Sequence, residues 1–223
     1  MERIICLVIG YLVGSIVQAG YWLGRFNHID IRNYGSGNAG TTNITRTLGK
    51  KFGIITYLGD ALKAALSALI IHLLFNDSEI PMMLLYLYSG LGVVIGHNFP
   101  FYLKFKGGKG IAASSGVVFS LLLFPQHCWI LTVLGAATFS SVTLISKYVS
   151  VGSLTFIVLF LIEFIIWGSA GWLPISGSFL YEAYAIAAVM TALAFIRHRG
   201  NIVRLIHGNE RKIGQKNKEA VNG

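Results

Sequence analysis

The chain has 223 residues, 54% of them hydrophobic and 12% charged, with a formal net charge of +9 and a mean hydropathy of +0.66. A water-soluble domain carries about 25% charged residues, so a soluble fold is excluded, and the positive excess reads as membrane-flanking charge rather than a nucleic-acid footprint. Cys6 and Cys128 both lie in apolar context without C-x-x-C spacing, which argues against a disulfide framework or a zinc site and for small buried hydrophobes.

In chain order the apolar segments fall at about 4–24, 54–75, 82–100, 111–125, 128–146, 149–168 and 180–197, each a candidate spanning helix, the fourth short. The first follows only Glu2 and Arg3 and contains Gly10, Gly14 and Gln18. That length and content mark a retained helix rather than a cleaved signal. Small residues four apart, Gly10/Gly14, Gly20/Gly24 and Gly92/Gly96, suit close helix contact in lipid. Asp60 and Lys63, at i, i+3 in the second span, predict an intramembrane ion pair, whereas Glu163 stands alone in the sixth. His72 and His127 fall near span ends.

The charges then orient the spans. Arg25, Arg32, Arg46, Lys50 and Lys51 occupy the first connection, Lys104, Lys106 and Lys109 the third, and Lys147 the fifth. Arg197, Arg199, Arg204, Arg211, Lys212, Lys216 and Lys218 follow the last span. The alternate connections carry only Asp77 and Glu79. By the positive-inside rule this is an all-α polytopic membrane bundle of about seven transmembrane helices, with the N-terminus outside and the C-terminus cytoplasmic. Residues 1–213 form one integral-membrane domain, and 214–223 read as a polar, disordered cytoplasmic tail.

Three motifs on the basic side carry chemistry. The first, residues 34–46, reads Tyr-Gly-Ser-Gly-Asn-Ala-Gly-Thr-Thr-Asn-Ile-Thr-Arg. It contains a G-x-G-x-x-G, and Asp60 follows Gly40 by twenty residues, but no strand precedes it and a membrane span follows, so a dinucleotide fold is rejected. Ser36, Gly37, Asn38 and Asn43 leading to Arg46 suit either an anion cradle at a helix start or an ordinary capped loop.

The second motif, residues 96–110, places His97, Asn98, Gly107, Gly108, Lys109 and Gly110 between two apolar runs. Gly110 rather than Ser or Thr follows Lys109, and Leu103 stands where the first glycine of a P-loop belongs, so ATP binding of that type is disfavoured. Lipid headgroup contact would explain the lysines. The adjacent glycines exceed that need and favour a phosphate nest. The third motif, residues 197–207, sets His198, Asn201 and Arg204 at i, i+3 and i+6, near one helical face. Interfacial anchoring is its plainer reading. Ser150 and Ser153, beside Lys147 and Tyr148, meet the same surface.

Together the three motifs, in this order and at these spacings, resemble the bacterial membrane acyltransferases of the PlsY family, over essentially residues 4–213. The resemblance implies seven spans and transfer of a fatty acyl group from acyl phosphate to the first hydroxyl of glycerol 3-phosphate. The products would be lysophosphatidic acid and inorganic phosphate, at the cytoplasmic face of the bacterial inner membrane. It further implies catalytic roles for Lys109, Ser36, Arg46, His198 and Asn201. Substrate-binding roles follow for Gly37, Asn38, Asn43, His97, Asn98, Gly107, Gly108, Gly110, Ser150 and Arg204.

The family pattern has Pro where Ala39 stands and Glu where Gly200 stands, which leaves a partner such as Arg46 or Lys109 without its counter-charge. The expected partners are the two substrates and the bilayer, with no nucleic acid, no cofactor and no metal. The oligomeric state is left open, a monomer included. An alternative from another class is a membrane carrier for a phosphorylated solute, which would use inverted repeats and charged or broken helices at mid-membrane.

Overall fold

The computed structural model describes residues 1–124 and 128–215; His127 and most of the expected tail lie outside them. Among the described residues all regular structure is helical, in the order α1 (Glu2–Ile16), α2 (Ala19–Phe26), α3 (Thr41–Leu48), α4 (Lys50–Leu74), α5 (Met82–Asn98), α6 (Ile111–Ser120), α7 (Cys128–Ser146), α8 (Val149–Ser169) and α9 (Ser178–Ile206). Among the described residues six segments are long and apolar enough to cross a membrane: Glu2–Phe26, Lys50–Leu74, Met82–Leu103, Cys128–Ser146, Val149–Ser169 and Ser178–Ile206. The fourth apolar segment is a shorter helical stretch, Ile111–Leu123.

The amphipathy is that of a membrane protein, with polar groups inside. On α4, Ile54, Leu58, Leu62, Leu66, Leu69 and Leu73 are exposed, while Thr56, Asp60, Lys63 and Ser67 are buried. Hydrocarbon solvates the outer face, and the inner polar atoms find partners, as Ser67 Oγ does with Ser89 Oγ of α5.

The seam between α1 and α5 is made of backbone. A Cβ on Gly10 would lie 2.0 Å from the Ser89 carbonyl oxygen, and one on Gly14 2.2 Å from that of Val93. From the other side, Cβ atoms on Gly92 and Gly96 would each come 2.2 Å from carbonyl oxygens of Leu7 and Tyr11. The four-residue spacing at Gly10/Gly14 and Gly92/Gly96 therefore marks a true helix contact, whereas Gly20 lies against the Ala39 carbonyl and Gly24 against Ile29 and Ile31.

The first span is not one continuous helix. It breaks at Val17 and Gln18, where Gln18 turns its amide back towards the carbonyls of Gly14 (3.0 Å), His97 (3.2 Å) and Gly96 (3.4 Å). The break frees the Val17 carbonyl, and Lys63 Nζ of α4 donates to it at 2.8 Å. Broken helices and mid-membrane charge are features a carrier would use; here the opened carbonyl and the buried charges satisfy one another. Cys6 and Cys128 are buried and unpaired. Glu163 Oε2 and Trp167 Nε1 are buried without a hydrogen-bond partner among the described residues.

α9 is 29 residues, roughly 44 Å at 1.5 Å per residue, which outruns a hydrocarbon layer of about 30 Å. Its last turns carry His198, Asn201 and Arg204. After Ile206 the chain turns back, and the Ile213 amide donates to the Lys147 carbonyl at 2.8 Å. At the opposite end of the bundle, Arg3 pairs with Glu182 (2.7 Å), and Ser78 donates to Glu2.

Candidate active site

A cavity of about 800 Å³ opens where the three motifs meet. Ser36, Asn38, Asn43 and Arg46 of the first motif line it, with His97, Lys109 and Gly110 of the second and His198, Asn201 and Arg204 of the third; Ser150 lies between them. Gly37, Asn98, Gly107 and Gly108 do not line it. Lys104 and Lys106 are exposed, so only the third lysine of that motif turns inward.

Two helix N-termini face the cavity. α3 starts after Gly40, with Thr41 and Thr42 in the wall, and α6 starts after Gly110, with Ile111 and Ala112 in the wall. Amides in a first turn lack intrahelical partners and carry the positive end of the helix dipole, which favours an anion. Gly110 holds φ at +89°, a left-handed conformation that lets the chain turn straight from Lys109 into α6.

The expectation of a nest at Gly107 and Gly108 needs correction. The Gly107 amide donates to the Asn98 carbonyl (3.2 Å) and the Gly108 amide to that of His97 (3.0 Å). Arg197 donates to both glycine carbonyls (2.9–3.1 Å). With its amides committed, this turn is a mount, and the amides left for an anion are those that begin α6.

In the first motif, Asn43 works within the protein. Its Oδ1 accepts from the Ser36 amide (3.0 Å), and its Nδ2 donates to the Tyr34 carbonyl (2.9 Å). Asn38 Oδ1 similarly accepts from the Gly40 amide (2.9 Å). These contacts fix the loop and leave the Ser36 side chain exposed at the cavity mouth. Arg46 is half-buried and donates to the Arg211 carbonyl (3.3 Å). Burial lowers its pKa first, and the neighbouring Arg211 charge adds to the effect.

The centre of the site is a chain of polar contacts. Lys109 Nζ donates to Asn201 Oδ1. Asn201 Nδ2 donates to Glu210 Oε1 (2.6 Å), which also accepts from Ser150 Oγ (3.1 Å). Arg204 Nε donates to Glu210 Oε2 (2.7 Å). Burial alone would raise the Glu210 carboxyl pKa, but the hydrogen bonds from Asn201 and Arg204, with the Arg204 charge, outweigh it and hold it below the usual glutamate range. Lys109 shows the opposite balance. Burial, with Arg204, Arg197 and Arg46 nearby, lowers its pKa to about 8, against the upward pull of Glu210.

His198 Nδ1 lies 2.8 Å from the Ala194 carbonyl. A carbonyl only accepts, so Nδ1 carries the hydrogen and Nε2 keeps a lone pair.

Glu210 was missed in the sequence. Its signal was a lone carboxylate within the basic stretch Gly-Asn-Glu-Arg-Lys after the last span. It also corrects the expectation for Gly200, whose missing carboxylate was thought to strand Arg46 or Lys109. Gly200 is exposed, and a Cβ there would approach only Arg204, at 3.5 Å. The counter-charge comes from Glu210. Thr41 Oγ1, at the helix start of the first motif, and Thr143 Oγ1, unremarked in the sequence, are buried in the cavity wall with no partner among the described residues. A smaller apolar pocket of about 130 Å³ adjoins the cavity through Tyr57, Ile111 and Phe139 and runs on to Val118, Gly135 and Phe156.

Comparison with known proteins points to one family. The family model described as glycerol-3-phosphate acyltransferase matches residues 4–208. Proteins named glycerol-3-phosphate acyltransferase are similar along the whole chain. That of Clostridioides difficile strain 630 is 39% identical, covering 96% of each chain. That of Thermoanaerobacter sp. strain X514 is 38% identical, covering 97% of this chain and 98% of its own. The crystal structure of PlsY (YgiH), an integral membrane glycerol 3-phosphate acyltransferase in its glycerol 3-phosphate form, superposes with a TM-score of 0.78 at 33% identity over 96% of both chains. Its lysophosphatidic acid form gives 0.76 at 31% identity, again over 96% of both. With match and cavity both spanning the three motifs, this chain belongs to the glycerol-3-phosphate acyltransferase family of integral membrane proteins.

Proposed function

We propose that the protein transfers an acyl group from an acyl phosphate to the first hydroxyl of glycerol 3-phosphate, forming lysophosphatidic acid and inorganic phosphate. The observation that carries this reading is a single cavity in which Lys109, Arg46, Arg204 and two helix N-termini converge beside an apolar pocket. Two phosphates would find cationic partners there, and a fatty chain would find a hydrocarbon wall past Tyr57 and Phe139. The connections that line the cavity are the basic ones, which supports a site at the cytoplasmic face of the inner membrane, with the N-terminus outside.

Phosphate is already a good leaving group, so no covalent enzyme intermediate is needed. The acceptor oxygen forms its bond to the acyl carbon, and negative charge moves onto the acyl oxygen. The acyl carbon–oxygen bond to phosphate then breaks, the electron pair leaving with inorganic phosphate. In this reading Lys109 and the first-turn amides of α6, which line the cavity, stabilise that charge. Positioning of two bound anions supplies the rest. The hydroxyl proton passes to a donor phosphate oxygen.

Purified protein incubated with palmitoyl phosphate and labelled glycerol 3-phosphate, without metal, ATP or thioester, is expected to yield lysophosphatidic acid. No product, or strict dependence on acyl-CoA, overturns the assignment. His198→Gln separates the two proton routes. With the proton going to phosphate, the variant loses less than about a hundredfold in kcat, near the lower end of a general base's usual share. A fall of about a thousandfold or more gives the proton to His198 Nε2 instead.

A further inference from the structure

At the level of the break in the first span, Asp60 and His97 reach the cavity wall with Lys63 beside them; Asp60, Lys63 and His97 are 1%, 1% and 2% exposed. Lys63 Nζ reaches Asp60 Oδ1 at 3.0 Å, Val17 O at 2.8 Å and His97 Nδ1 at 2.7 Å. An ammonium has donors only, so His97 Nδ1 accepts and its Nε2 carries the hydrogen. The group is then internally neutral, one ammonium against one carboxylate beside a neutral ring, the form in which burial costs least.

The ring meets the glycine turn directly. A Cβ on Gly108 would lie 1.9 Å from His97 Nε2, and one on Gly107 2.1 Å from the His97 carbonyl oxygen. The turn therefore lies flat on His97 on one side. On the other, Arg197, itself over the Phe99 ring at 5.1 Å, grips the two glycine carbonyls. Lys109 is the next residue, so the pose of this turn sets where its side chain points.

We propose that Asp60, Lys63 and His97 form a buried pedestal that seats the Gly107 and Gly108 turn and thereby aims Lys109 into the cavity. Asp60 holds Lys63, Lys63 fixes the tautomer and ring orientation of His97, and His97 supports the turn. All three are positioning residues. Only Gly fits at 108 because the His97 ring fills the space a side chain would need, and at 107 the His97 carbonyl and the Pro100 ring do the same. The inference rests on the acyl-phosphate reading, with Lys109 serving the donor phosphate.

Two charge-neutral double variants test it. Asp60→Asn/Lys63→Gln keeps an amide donor for His97 Nδ1, whereas Asp60→Leu/Lys63→Met keeps the volume without one. The Leu/Met protein is expected to unfold at nearly the parental temperature yet lose about a hundredfold in kcat/KM for palmitoyl phosphate, the usual cost of misplacing a reacting group by about 1 Å. Its KM for glycerol 3-phosphate is expected to change less than about threefold, and the Asn/Gln protein to recover to within about tenfold of parental activity.

A folded Leu/Met protein with parental kinetics overturns the proposal, as does equal loss in both variants in proportion to lost stability. If Leu/Met does not fold, His97→Gln decides: a donor-specific loss supports the pedestal, and parental kinetics sink it. Failure of all three to fold makes the group a folding determinant and rejects the positioning role. The unaltered protein, assayed alongside, separates this from the activity itself. An inert parent overturns the acyl-phosphate reading, whereas an active parent with insensitive variants overturns only the pedestal.

Discussion

Replacing Lys109 with Met is expected to abolish most activity, lowering kcat/KM by about a thousandfold, the upper range for removing one preorganised charge donor. The fold should survive. The Lys109 side chain bonds to Asn201 and leads out of a turn held independently by Arg197 and His97. Arg at the same position should restore only a fraction, because the planar fork does not reproduce a point ammonium in a space shaped around Asn201.

The same side chain sets a pH limb. With its pKa lowered to about 8 by burial and by the nearby arginines, Lys109 is an ammonium below that pH and a neutral amine above it. The free protein therefore binds a phosphate best below about 8, and kcat/KM is expected to fall with a slope of about −1 above it. Methionine at 109 should flatten that limb. A limb unchanged in the variant would assign the titration elsewhere.

Glu210→Gln carries the second large effect. The carboxylate holds Asn201 with its Nδ2 towards Glu210, leaving its Oδ1 for Lys109. A glutamine amide presents a donor as well as an acceptor, so Asn201 loses the carboxylate that, together with the Lys109 ammonium, fixes which way its amide faces. Ser150 and Arg204 lose a charged acceptor at the same time. The expected result is a fall of about a hundredfold in kcat. The Lys109 limb should also move to lower pH, since Glu210 is the group that raises that lysine's pKa. Unchanged kcat and an unmoved limb would reduce Glu210 to an anchor for the chain beyond α9.

The contrast between Glu210 and the motif residues shows what was legible in the sequence. Hydropathy gave the spans because lipid demands long apolar helices, and the alternation of Arg and Lys between connections marked one basic end. Gly10, Gly14, Gly92 and Gly96 announced a backbone contact because their spacing matches the helical repeat. Glu210 escaped because it lies nine residues past Asn201, across the turn at His207 and Gly208, and helical periodicity does not extend through a turn. The break at Val17 escaped too: an apolar run has the same hydropathy straight or broken, and only the distant Lys63 completes it. Gly107 and Gly108 were misread because paired glycines signal free amides in a phosphate loop. The same absence of Cβ also serves a turn pressed flat against a buried ring.

The enclosure of α5 has a consequence for how this sequence can drift. Its residues are buried on nearly every side, by α1 through bare backbone and by α4, α6 and α9 through side chains. α7 spends most of its surface on lipid. Leucine for valine on the outside of α7 exchanges one hydrocarbon contact for another, so that helix can wander among apolar letters at little cost. On α5 the same exchange needs a matching change in a second helix. Two spans that look alike in a hydropathy plot therefore differ in mutational freedom, and the less free one ends at the cavity itself, with His97 in its wall.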